Sequence, residues 1–403
     1  MTNRILALCL AAGACAAARA DEATLKLNDQ EYLEMPGLNV MLAHDFYPEG
    51  HQGGVGIIQN GQRVATNGDL RLSPTPGQWQ PKPVVSPRVV DRAAQEISVR
   101  LSYPDYSGDH RGFNPISYPD LKLAYSVRVR PEGQSVRVVV DLDEPLPADW
   151  VGKVGFNLEL YPGILFGKSY SIGGHVGAFP RQPDGPGAVT DGDYEVAPLG
   201  AGPRLTIAPE SERQRMTIDV VRGGELVLLD GRAQHNNGWF VVRSLVPKGA
   251  TKGAIEWLVS PHVIPGWKSD PVIQVSQVGY HPRQPKIAVI ELDRHETGSK
   301  PIALYKMTDS GPVKVLERPA AEWGRFLRYR YLQLDFTDVT EEATYEVGYG
   351  DLRSNPFQVS SSIYERGVWQ PTIEYFLPVQ MAHMRVNDRY RVWHGLSHID
   401  DAL

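Results

Sequence analysis

The sequence predicts a mainly β protein that contains more than one sandwich. Gly and Pro account for 39 and 32 of the 403 residues, and both are spread along the chain as turn residues rather than gathered in linkers. Hydrophobic and polar residues alternate in many short runs, and no amphipathic helix between Thr24 and Asp270 exceeds a few turns. A chain of this length suggests two or three domains.

The N-terminus has the features of a secretory signal peptide. Residues 1–20 contain a basic residue at Arg4, an apolar stretch from Ile5 to Ala14 and a small-residue cleavage sequence, Ala18-Arg19-Ala20. The apolar stretch is shorter than the roughly 20 residues that span a bilayer, and no later segment is long and apolar enough. We therefore expect a signal peptide over 1–20, a secreted or periplasmic protein and no transmembrane segment.

Both cysteines of the sequence, Cys9 and Cys15, lie inside the predicted signal peptide. The exported chain would therefore contain no disulfide, and zinc–thiolate or cysteine-nucleophile chemistry is excluded. In an alternative that stays open, Cys15 follows Ala12-Gly13-Ala14 as the acylated residue of a lipoprotein, although the usual leucine three positions earlier is absent.

The charge of the chain narrows the class of its partners. The formal net charge is -6 at pH 7 and the sequence pI is about 6.0. Neither nucleic acid nor an anionic membrane would attract such a chain electrostatically, so neither is expected as a partner. Neutral ligands such as glycans are compatible with this charge.

A large antiparallel sandwich is predicted over 21–270, and hairpins provide the local signal for it. The clearest alternation covers residues 121–142, where hydrophobic residues on both sides of a turn would share one buried face. Three hairpin turns are expected at Pro131-Glu132-Gly133-Gln134, Gly223-Gly224 and Asn60-Gly61.

Residues 155–203 are predicted to be mainly loops, because they connect aromatic residues through glycine-rich stretches. Aromatic rings beside Arg and Gln would suit a sugar-binding face, whereas the simpler interpretation is loop packing over a sandwich edge. Gly173-Gly174-His175-Val176-Gly177 lacks the Gly-Lys-Ser/Thr ending of a phosphate-binding loop. His235-Asn236-Asn237-Gly238-Trp239 is interpreted as a polar tight turn.

A second sandwich is predicted over 271–360, beginning at Pro271. Short hydrophobic runs separated by turn residues predict a sandwich of about 90 residues. The expected strands are Ile287–Glu291, Ile302–Lys306, Val313–Leu316, Leu332–Phe336, Tyr345–Tyr349 and Phe357–Val359.

Several motifs of this second sandwich carry a resemblance to a known domain. They are Gln274-Val275-Ser276-Gln277-Val278-Gly279-Tyr280-His281-Pro282, Pro285-Lys286-Ile287-Ala288-Val289, Leu334-Asp335-Phe336-Thr337-Asp338-Val339-Thr340, Ala343-Thr344-Tyr345-Glu346-Val347 and Asn355-Pro356-Phe357-Gln358-Val359. In this order and spacing, they resemble the Ig-like domain that precedes many cellulase catalytic domains of glycoside hydrolase family nine. The resemblance implies a domain that braces a catalytic domain, with Tyr280 and Trp323 in scaffold roles rather than in carbohydrate contact.

The terminal segment, 361–403, predicts a helix followed by a polar stretch. One apolar stripe is formed by Ile373, Phe376, Leu377, Gln380, Met381 and Met384, with Pro371 in the first turn. The segment resembles the first helix of an (α/α)₆ barrel and the His- and Asp-containing stretch after it, here Ser397-His398-Ile399-Asp400-Asp401 with Ser in place of the family's Cys. The resemblance implies Trp393, His398 and Asp401 as substrate-contacting residues of a truncated catalytic domain.

No catalytic residue is expected within this chain. Inverting glycoside hydrolysis requires two carboxyl groups, a base that activates water and an acid that protonates the leaving group. In the family, the base belongs to an Asp-Ala-Gly-Asp motif, which this sequence does not contain. Adjacent Asp400 and Asp401 cannot both face one sugar, and His394 and His398 lack the Glu of a His-Glu-x-x-His metal site. The chain is predicted to be inactive by itself.

The large sandwich carries a second resemblance. Gly155-Phe156-Asn157-Leu158-Glu159-Leu160, following an alternating hairpin, resembles the carbohydrate-active supersandwich group related to galactose mutarotases. We therefore expect the N-terminal part of a secreted glycoside hydrolase resembling family-nine endo-β-1,4-glucanases, with a β-glucan or related polysaccharide as partner. No cofactor is expected beyond a structural calcium ion, which the resemblance allows. The alternative is a non-catalytic glycan-binding or surface scaffold protein.

Overall fold

The fold is that of a computed structural model of the chain. It divides into two compact units, Met1–Trp267 and Lys268–Leu403. The residues that the structure describes are 24–47, 50–72, 83–103, 122–183, 188–190, 193–195, 197–233, 238–365, 367–373, 386–388 and 391–393. The predicted signal peptide, including Cys9 and Cys15, lies outside them. No helix among these residues is long and apolar enough to cross a membrane.

The first unit consists of short strands with little helix. Its strands are β1 (Lys26–Leu27), β2 (Leu33–Met35), β3 (Leu38–Tyr47), β4 (Gly50–Gln59), β5 (Gln62–Leu72), β6 (Val84–Val85), β7 (Val89–Asp91), β8 (Glu96–Tyr103), β9 (Leu123–Glu132), β10 (Ser135–Leu142), β11 (Val154–Leu160), β12 (Ser169–Ile172), β13 (His175–Ala178), β14 (Ala188–Thr190), β15 (Asp193–Glu195), β16 (Gly200–Gly202), β17 (Arg204–Ile207), β18 (Met216–Arg222), β19 (Leu226–Asp230), β20 (Phe240–Leu245) and β21 (Ile255–Pro261). Short 3₁₀ helices cover Ala148–Trp150, Pro162–Ile164 and Gly231–Ala233.

Apart from β14 and β15, which pair only with each other, these strands form two large antiparallel sheets that face each other. Among the described residues, the first sheet has the order β1-β2-β3-β4-β5-β11-β20-β19-β16. The second has the order β13-β12-β17-β18-β21-β10-β9-β8-β6, with β7 also paired to β8. Hydrophobic residues from both sheets share one core, in which Phe156 of β11 packs edge-on against Trp257 of β21 at 4.9 Å between ring centroids. The predicted large antiparallel sandwich is confirmed.

Two of the three predicted hairpins are confirmed and one is wrong. Strands β9 and β10 pair around Gly133, and β4 and β5 pair around Asn60-Gly61, whose φ angles of 46° and 77° suit a primed turn. Gly223-Gly224 does not close a hairpin, because β18 belongs to the second sheet and β19 to the first. The chain crosses between the sheets here, and a Cβ on Gly223 would lie 2.9 Å from the Ala254 carbonyl oxygen.

The expectation that 155–203 is mainly loop is also wrong. Strand β11 lies between β5 and β20 in the first sheet, and four further strands, β12 to β15, lie within the segment, followed by β16 at its end. Its aromatic residues pack as in the simpler interpretation: Tyr170 and Phe179 are buried, and the ring of Phe179 lies 4.8 Å from that of Phe240. The glycines in this segment separate short strands rather than one long loop.

The second unit contains a smaller sandwich. Its strands are β22 (Val272–Gln274), β23 (Ile287–Asp293), β24 (Ile302–Thr308), β25 (Gly311–Arg318), β26 (Ala321–Phe326), β27 (Tyr329–Asp335), β28 (Ala343–Tyr349), β29 (Leu352–Arg353) and β30 (Phe357–Val359). One sheet has the order β22-β23-β27-β26, and the other contains β25-β24-β28-β29 with β30 on β28. The six predicted strands are all present, and β22, β26 and β29 are additional.

Tyr280 has the scaffold role that the sequence predicts. Its ring lies 5.3 Å from both Phe336 and Phe357, and its hydroxyl donates to the carbonyl of Ile287 at 3.0 Å. The preceding Gly279 has a φ of 104°, and a Cβ there would lie 2.4 Å from the Gln358 carbonyl oxygen. Close approach of two backbone segments therefore requires glycine at this position.

The predicted terminal helix is described only at its start. Residues 370–373 are helical, and the amide of Ile373 donates to the carbonyl of Trp369 at 3.1 Å. The rest of the predicted apolar stripe lies outside the described residues, so this helix stays a prediction. A short hairpin follows, formed by β31 (Val386–Asp388) and β32 (Arg391–Trp393).

Packing of β11 against the second sheet should dominate the stability of the first unit. Leu158 is 1% exposed, whereas Leu245 on neighbouring β20 is 38% exposed. We expect Leu158→Ala to lower the free energy of unfolding by about 2–5 kcal/mol and Leu245→Ala by clearly less, because only the first leaves a cavity. Urea titration, monitored by hydrogen exchange in peptides of the first unit, measures the free energy of unfolding of both variants. Equal losses would contradict this account of the core.

Candidate functional site

A polar strip crosses three adjacent strands of the first sheet, β5, β11 and β20. Residues Phe156 and Leu158 of β11 face the core, so the alternate residues of the same strand, Gly155, Asn157 and Glu159, lie on the opposite face. In register, Gly155 pairs with Arg71 and Leu245, Asn157 with Asp69 and Arg243, and Glu159 with Thr66 and Val241. Cross-strand partners share a face in regular pairing, so Arg71, Asn157 and Arg243 lie on one face. Asp69 follows the bulge in β5, and its carboxylate turns to Tyr125 of the second sheet instead.

Glu159 is a buried carboxyl group of the strip, and its pKa is shifted. It is 9% exposed and accepts a hydrogen bond of 2.6 Å from Nδ2 of Asn67. Burial raises the pKa of Glu159, and the nearby positive charge of Arg71 opposes that rise. The carboxyl therefore keeps its proton to a higher pH than an exposed glutamate does, and it can act as a hydrogen-bond donor when protonated.

A β-bulge in β5 brings Asn67 to this carboxyl. The register between β5 and β11 shifts between Asn157 and Glu159, and Asn67 has a φ of 51°. The Asn67 amide is held at both ends, because its Oδ1 accepts the Gly53 amide at 3.1 Å while its Nδ2 donates to Glu159. The donor that faces Glu159 is therefore preorganised by the backbone.

Two guanidinium groups share the same face. Arg71 and Arg243 are each 7% exposed, and burial lowers the pKa of Arg243 to about 10. Arg243 donates to the carbonyl of Lys153 at 2.8 Å. A Cβ on Gly155 would lie 3.0 Å from Nε of Arg243, so the absence of a side chain at Gly155 gives the guanidinium room to lie across the strand.

Two polar atoms of the strip have no hydrogen-bonding partner among the described residues. They are Nε of Arg71 and Oδ1 of Asn157. An unsatisfied buried polar atom is costly. Both atoms are shielded from solvent by the protein itself, so they are unsatisfied groups beneath the surface of the strip.

An aromatic rim lies at the end of the strip, beyond Glu159. The ring of Tyr161 meets that of Trp239 edge-on at 4.6 Å, and both residues are partly exposed. The guanidinium of Arg63 lies 5.8 Å from the centre of the Tyr161 ring and donates to Oγ1 of Thr66 at 2.9 Å. From Gly155 to Tyr161 the strip extends for about 20 Å along β11, at roughly 3.3 Å a residue.

The strip is anchored to the second sheet through Asp69. Its Oδ1 accepts a hydrogen bond from the hydroxyl of Tyr125 at 3.0 Å, and its Oδ2 lies 3.2 Å from Nε2 of His44. Burial raises the pKa of Tyr125 and of the neighbouring Tyr103, and the negative charge of Asp69 raises both further. Both hydroxyls therefore remain protonated hydrogen-bond donors over the physiological range.

This combination of groups suits a polyhydroxylated ligand. Aromatic rings stack on the C–H faces of sugars, while guanidinium, amide and carboxyl groups bind hydroxyls in a fixed orientation. Among the described residues, no group of three His, Cys, Asp or Glu side chains could hold a metal ion. The strip therefore contains a protonatable acid and several hydrogen-bonding groups.

The residues that the sequence suggested for substrate contact are not part of this strip. Trp393 lies at the end of β32, where its backbone pairs with Val386 and its side chain is outside the description. His398 and Asp401 lie outside the described residues altogether. Their roles stay predictions.

Sequence reasoning missed the residues that do come together. The sequence of residues 155–160 supports a resemblance to a known fold group, and its alternation also places Gly155, Asn157 and Glu159 on one face. Trp239 was interpreted as part of a polar turn. Neither pattern indicates that β5 and β20 flank β11, because strand order is not encoded in the spacing of one strand.

Comparison with known proteins identifies part of the second unit. Residues 268–354 match the family model described as the cellulase N-terminal ig-like domain. The predicted Ig-like domain of the cellulase type is therefore confirmed over this segment. The match does not extend to the large sandwich or to the end of the chain.

Solved structures show only distant similarity. A Bacteroides ovatus GH9 protein is 21% identical with a TM-score of 0.23, and the match covers 29% of this chain and 20% of that one. The Slr1438 protein of Synechocystis sp. PCC 6803 is 12% identical with a TM-score of 0.27, over 59% of this chain and 96% of that one. This chain thus spans about a fifth of the Bacteroides protein. Curated proteins gave no significant match.

The raised pKa of Glu159 predicts the direction in which stability changes with pH. Because the folded protein holds this proton above the ordinary value of 4.5, the associated stability is present at low pH and is lost as pH rises through the folded pKa. We expect Glu159→Gln to remove this loss, so that the variant gains stability relative to the parent at pH 8 but not at pH 4. Urea unfolding at both values measures the difference.

Glu210 provides the control of opposite sign. Hydrogen bonds from Ser169 lower its pKa, so its contribution is present above the ordinary pKa and is lost as pH falls. Glu210→Gln should therefore lose stability at pH 8. If Glu159→Gln behaved in the same way, the carboxyl would be ionised and stabilising in the folded protein, against our account.

Proposed function

We propose that this chain is the N-terminal part of a secreted glycoside hydrolase resembling family-nine endo-β-1,4-glucanases, and that its large sandwich contacts the glycan. The observation that carries the proposal is the match of residues 268–354 to the cellulase N-terminal ig-like domain. In the proposed parent, hydrolysis proceeds with inversion and uses carboxyl groups of a catalytic domain. The Asp-Ala-Gly-Asp motif of the family is not in this sequence, so the chain supplies binding and support.

The proposed organisation assigns one role to each segment. A signal peptide over 1–20 directs export to the periplasm or the medium, and the large sandwich covers 21–270. The Ig-like domain covers 271–360, and 361–403 begins the catalytic domain with Trp393, His398 and Asp401 near substrate. Two features of the sequence support this division: the apolar leader and the change in the residue pattern at Pro271. In a lipoprotein variant of the same proposal, Cys15 would be the tether.

The polar strip is the proposed glycan contact of the large sandwich. Tyr161 and Trp239 offer apolar ring surface at one end, and Glu159 with Arg71 offers hydrogen-bonding groups along the strip. Sugar rings present the same two kinds of surface, since their C–H faces are apolar and their edges carry hydroxyls. A neutral β-glucan also suits a chain of net charge -6, because no attraction between opposite charges is required.

A second candidate is a non-catalytic glycan-binding or scaffold protein. It is favoured by the strip itself, because the partly exposed rings of Tyr161 and Trp239 offer stacking surface without any catalytic domain. The two candidates differ in the coding DNA after Leu403. A frame that continues into an Asp-Ala-Gly-Asp motif supports the hydrolase, and an immediate stop codon supports the scaffold.

Binding to soluble glucan tests the strip directly. We expect the purified chain to be retarded in affinity gels containing hydroxyethylcellulose or xyloglucan, and Trp239→Ala to weaken binding by roughly tenfold, because the ring surface is removed. Trp267→Ala is the matched control, since Trp267 is also partly exposed in the first unit but lies off the strip. Equal migration of Trp239→Ala and the parent would remove the strip from the glycan site.

Catalysis is tested separately. The chain contains no Asp-Ala-Gly-Asp motif, so we expect it to release no reducing sugar from the same glucans even where it binds them. A reducing-end assay with a family-nine endoglucanase as positive control makes the measurement. Turnover by the purified chain would contradict this expectation.

A further inference from the structure

The hairpin of β26 and β27 exposes an unusual amount of apolar surface. Trp323 is 59% exposed, Phe326 60% and Leu327 55%, and Tyr329 and Tyr331 are partly exposed beside them. Hydrophobic side chains scattered singly on a surface are ordinary, whereas a contiguous patch indicates a contact surface. We refer to residues 321–331 as the aromatic hairpin.

The aromatic residues of this hairpin lie on one face. Tyr329 pairs in register with Phe326, and Tyr331 pairs with Gly324 and with Glu291 of β23. The core of the domain lies on the opposite face, where Leu332 and Leu334 are buried. The exposed rings therefore do not belong to the packing of the Ig-like sandwich.

A β-bulge turns Trp323 onto this aromatic face. The register of β26 shifts between Glu322 and Gly324, and Gly324 has a φ of 137°. The indole ring then lies 5.7 Å from the ring of Tyr331 at an interplanar angle of 89°, so the two rings form the walls of a corner. A hydrogen bond to Glu291 holds the Tyr331 ring in place and raises its pKa together with burial.

Leu327, at the tip, is in a conformation that its side chain disfavours. Its φ is 52°, in the left-handed region where glycine is the ordinary choice. A two-residue turn between the paired residues Phe326 and Tyr329 requires a positive φ at its first residue, so closure of the hairpin accounts for this conformation. The exposed Leu327 side chain extends the apolar surface of the hairpin at its tip.

Hydrogen-bonding groups lie beside the rings. By register, Glu291 and Gln333 share the face of Tyr331, and the Tyr331 hydroxyl donates to the Glu291 carboxylate, whereas Arg325, Arg330 and Glu322 lie on the opposite face with Leu332. Carboxylate and amide groups beside ring surfaces are partners that sugar hydroxyls bind. The surface thus combines stacking area with donors and acceptors, as the strip of the large sandwich does.

We propose that the aromatic hairpin is a second glycan-binding site of this chain, which takes pyranose rings of a β-linked glucan on Trp323, Tyr331 and Phe326. The inference rests on the proposed glycan function of the chain but not on the polar strip. It departs from the scaffold role that the sequence suggested for Trp323, because the side chain is exposed instead of packed. An anionic membrane is the less suitable partner, since the chain has a net charge of -6.

Affinity gels of the purified chain in hydroxyethylcellulose and xyloglucan test the site. We expect Trp323→Ala to raise the dissociation constant by about tenfold, since one stacking surface is lost. Trp369→Ala is the matched control, because Trp369 is 53% exposed in the same unit and lies outside the hairpin. Trp369→Ala should migrate as the parent does.

Leu327→Gly separates binding from folding. Glycine relieves the left-handed strain, so this variant should unfold at the same temperature as the parent or a higher one while its affinity falls by severalfold. Joint loss of thermal stability and affinity would indicate a structural role and overturn the proposal. The variant Trp239→Ala on the large sandwich should weaken binding independently, so the two effects on affinity multiply in the double variant Trp239→Ala/Trp323→Ala.

The outcomes distinguish this proposal from the proposed function. Unchanged affinity in Trp323→Ala, with loss in Trp239→Ala, overturns the hairpin site and leaves the strip. Loss only in Trp323→Ala supports the hairpin and removes the strip. Binding of the parent to anionic lipid vesicles, abolished by Trp323→Ala and absent from the glucan gels, assigns the hairpin to a membrane and overturns the proposal. Self-association abolished by the same substitution overturns it in favour of a second copy.

Discussion

The large sandwich depends on a central strand that is buried on both faces. On one face of β11, Phe156 and Leu158 pack into the core shared with the second sheet. On the other face, Asn157 and Glu159 are withdrawn from water between β5 and β20. The period of two separates these environments residue by residue, so the strand that holds the sandwich together also presents the polar strip. Any substitution that shifts its register would exchange the two faces.

Backbone irregularities place the functional groups of both units. In the large sandwich, a bulge turns Asn67 toward Glu159, and the missing side chain of Gly155 leaves room for a guanidinium. In the Ig-like domain, a bulge beside Gly324 turns Trp323 out of the alternation. Regular strands provide the rigid support in each case, and the irregular residue aims a side chain. The proposed sites therefore lie where pairing departs from regularity.

The sequence predicts more of the Ig-like domain than of the large sandwich. For the Ig-like domain, alternation and motif order predicted six strands and the packing of Tyr280, because those features depend on local period and on turn residues. Strand β26 was missed, since its Trp-Gly-Arg core breaks the alternation at the bulge. For the large sandwich, the hairpin around Gly133 was predicted correctly. The hairpin predicted at Gly223-Gly224 is wrong, because two glycines suit a crossing between sheets as well as a hairpin turn.

The sequence by itself determined the fold class, the Ig-like domain and the hydrophobic face of most strands, because each depends on residue type and on a period of two. Only the tertiary structure decided which strands are neighbours, and hence which polar residues meet. Arg71, Glu159 and Arg243 are far apart in sequence and come together through the strand order β5-β11-β20. Burial of their charges, and the raised pKa of Glu159, follow from that order, because desolvation is a property of the surroundings rather than of the residue.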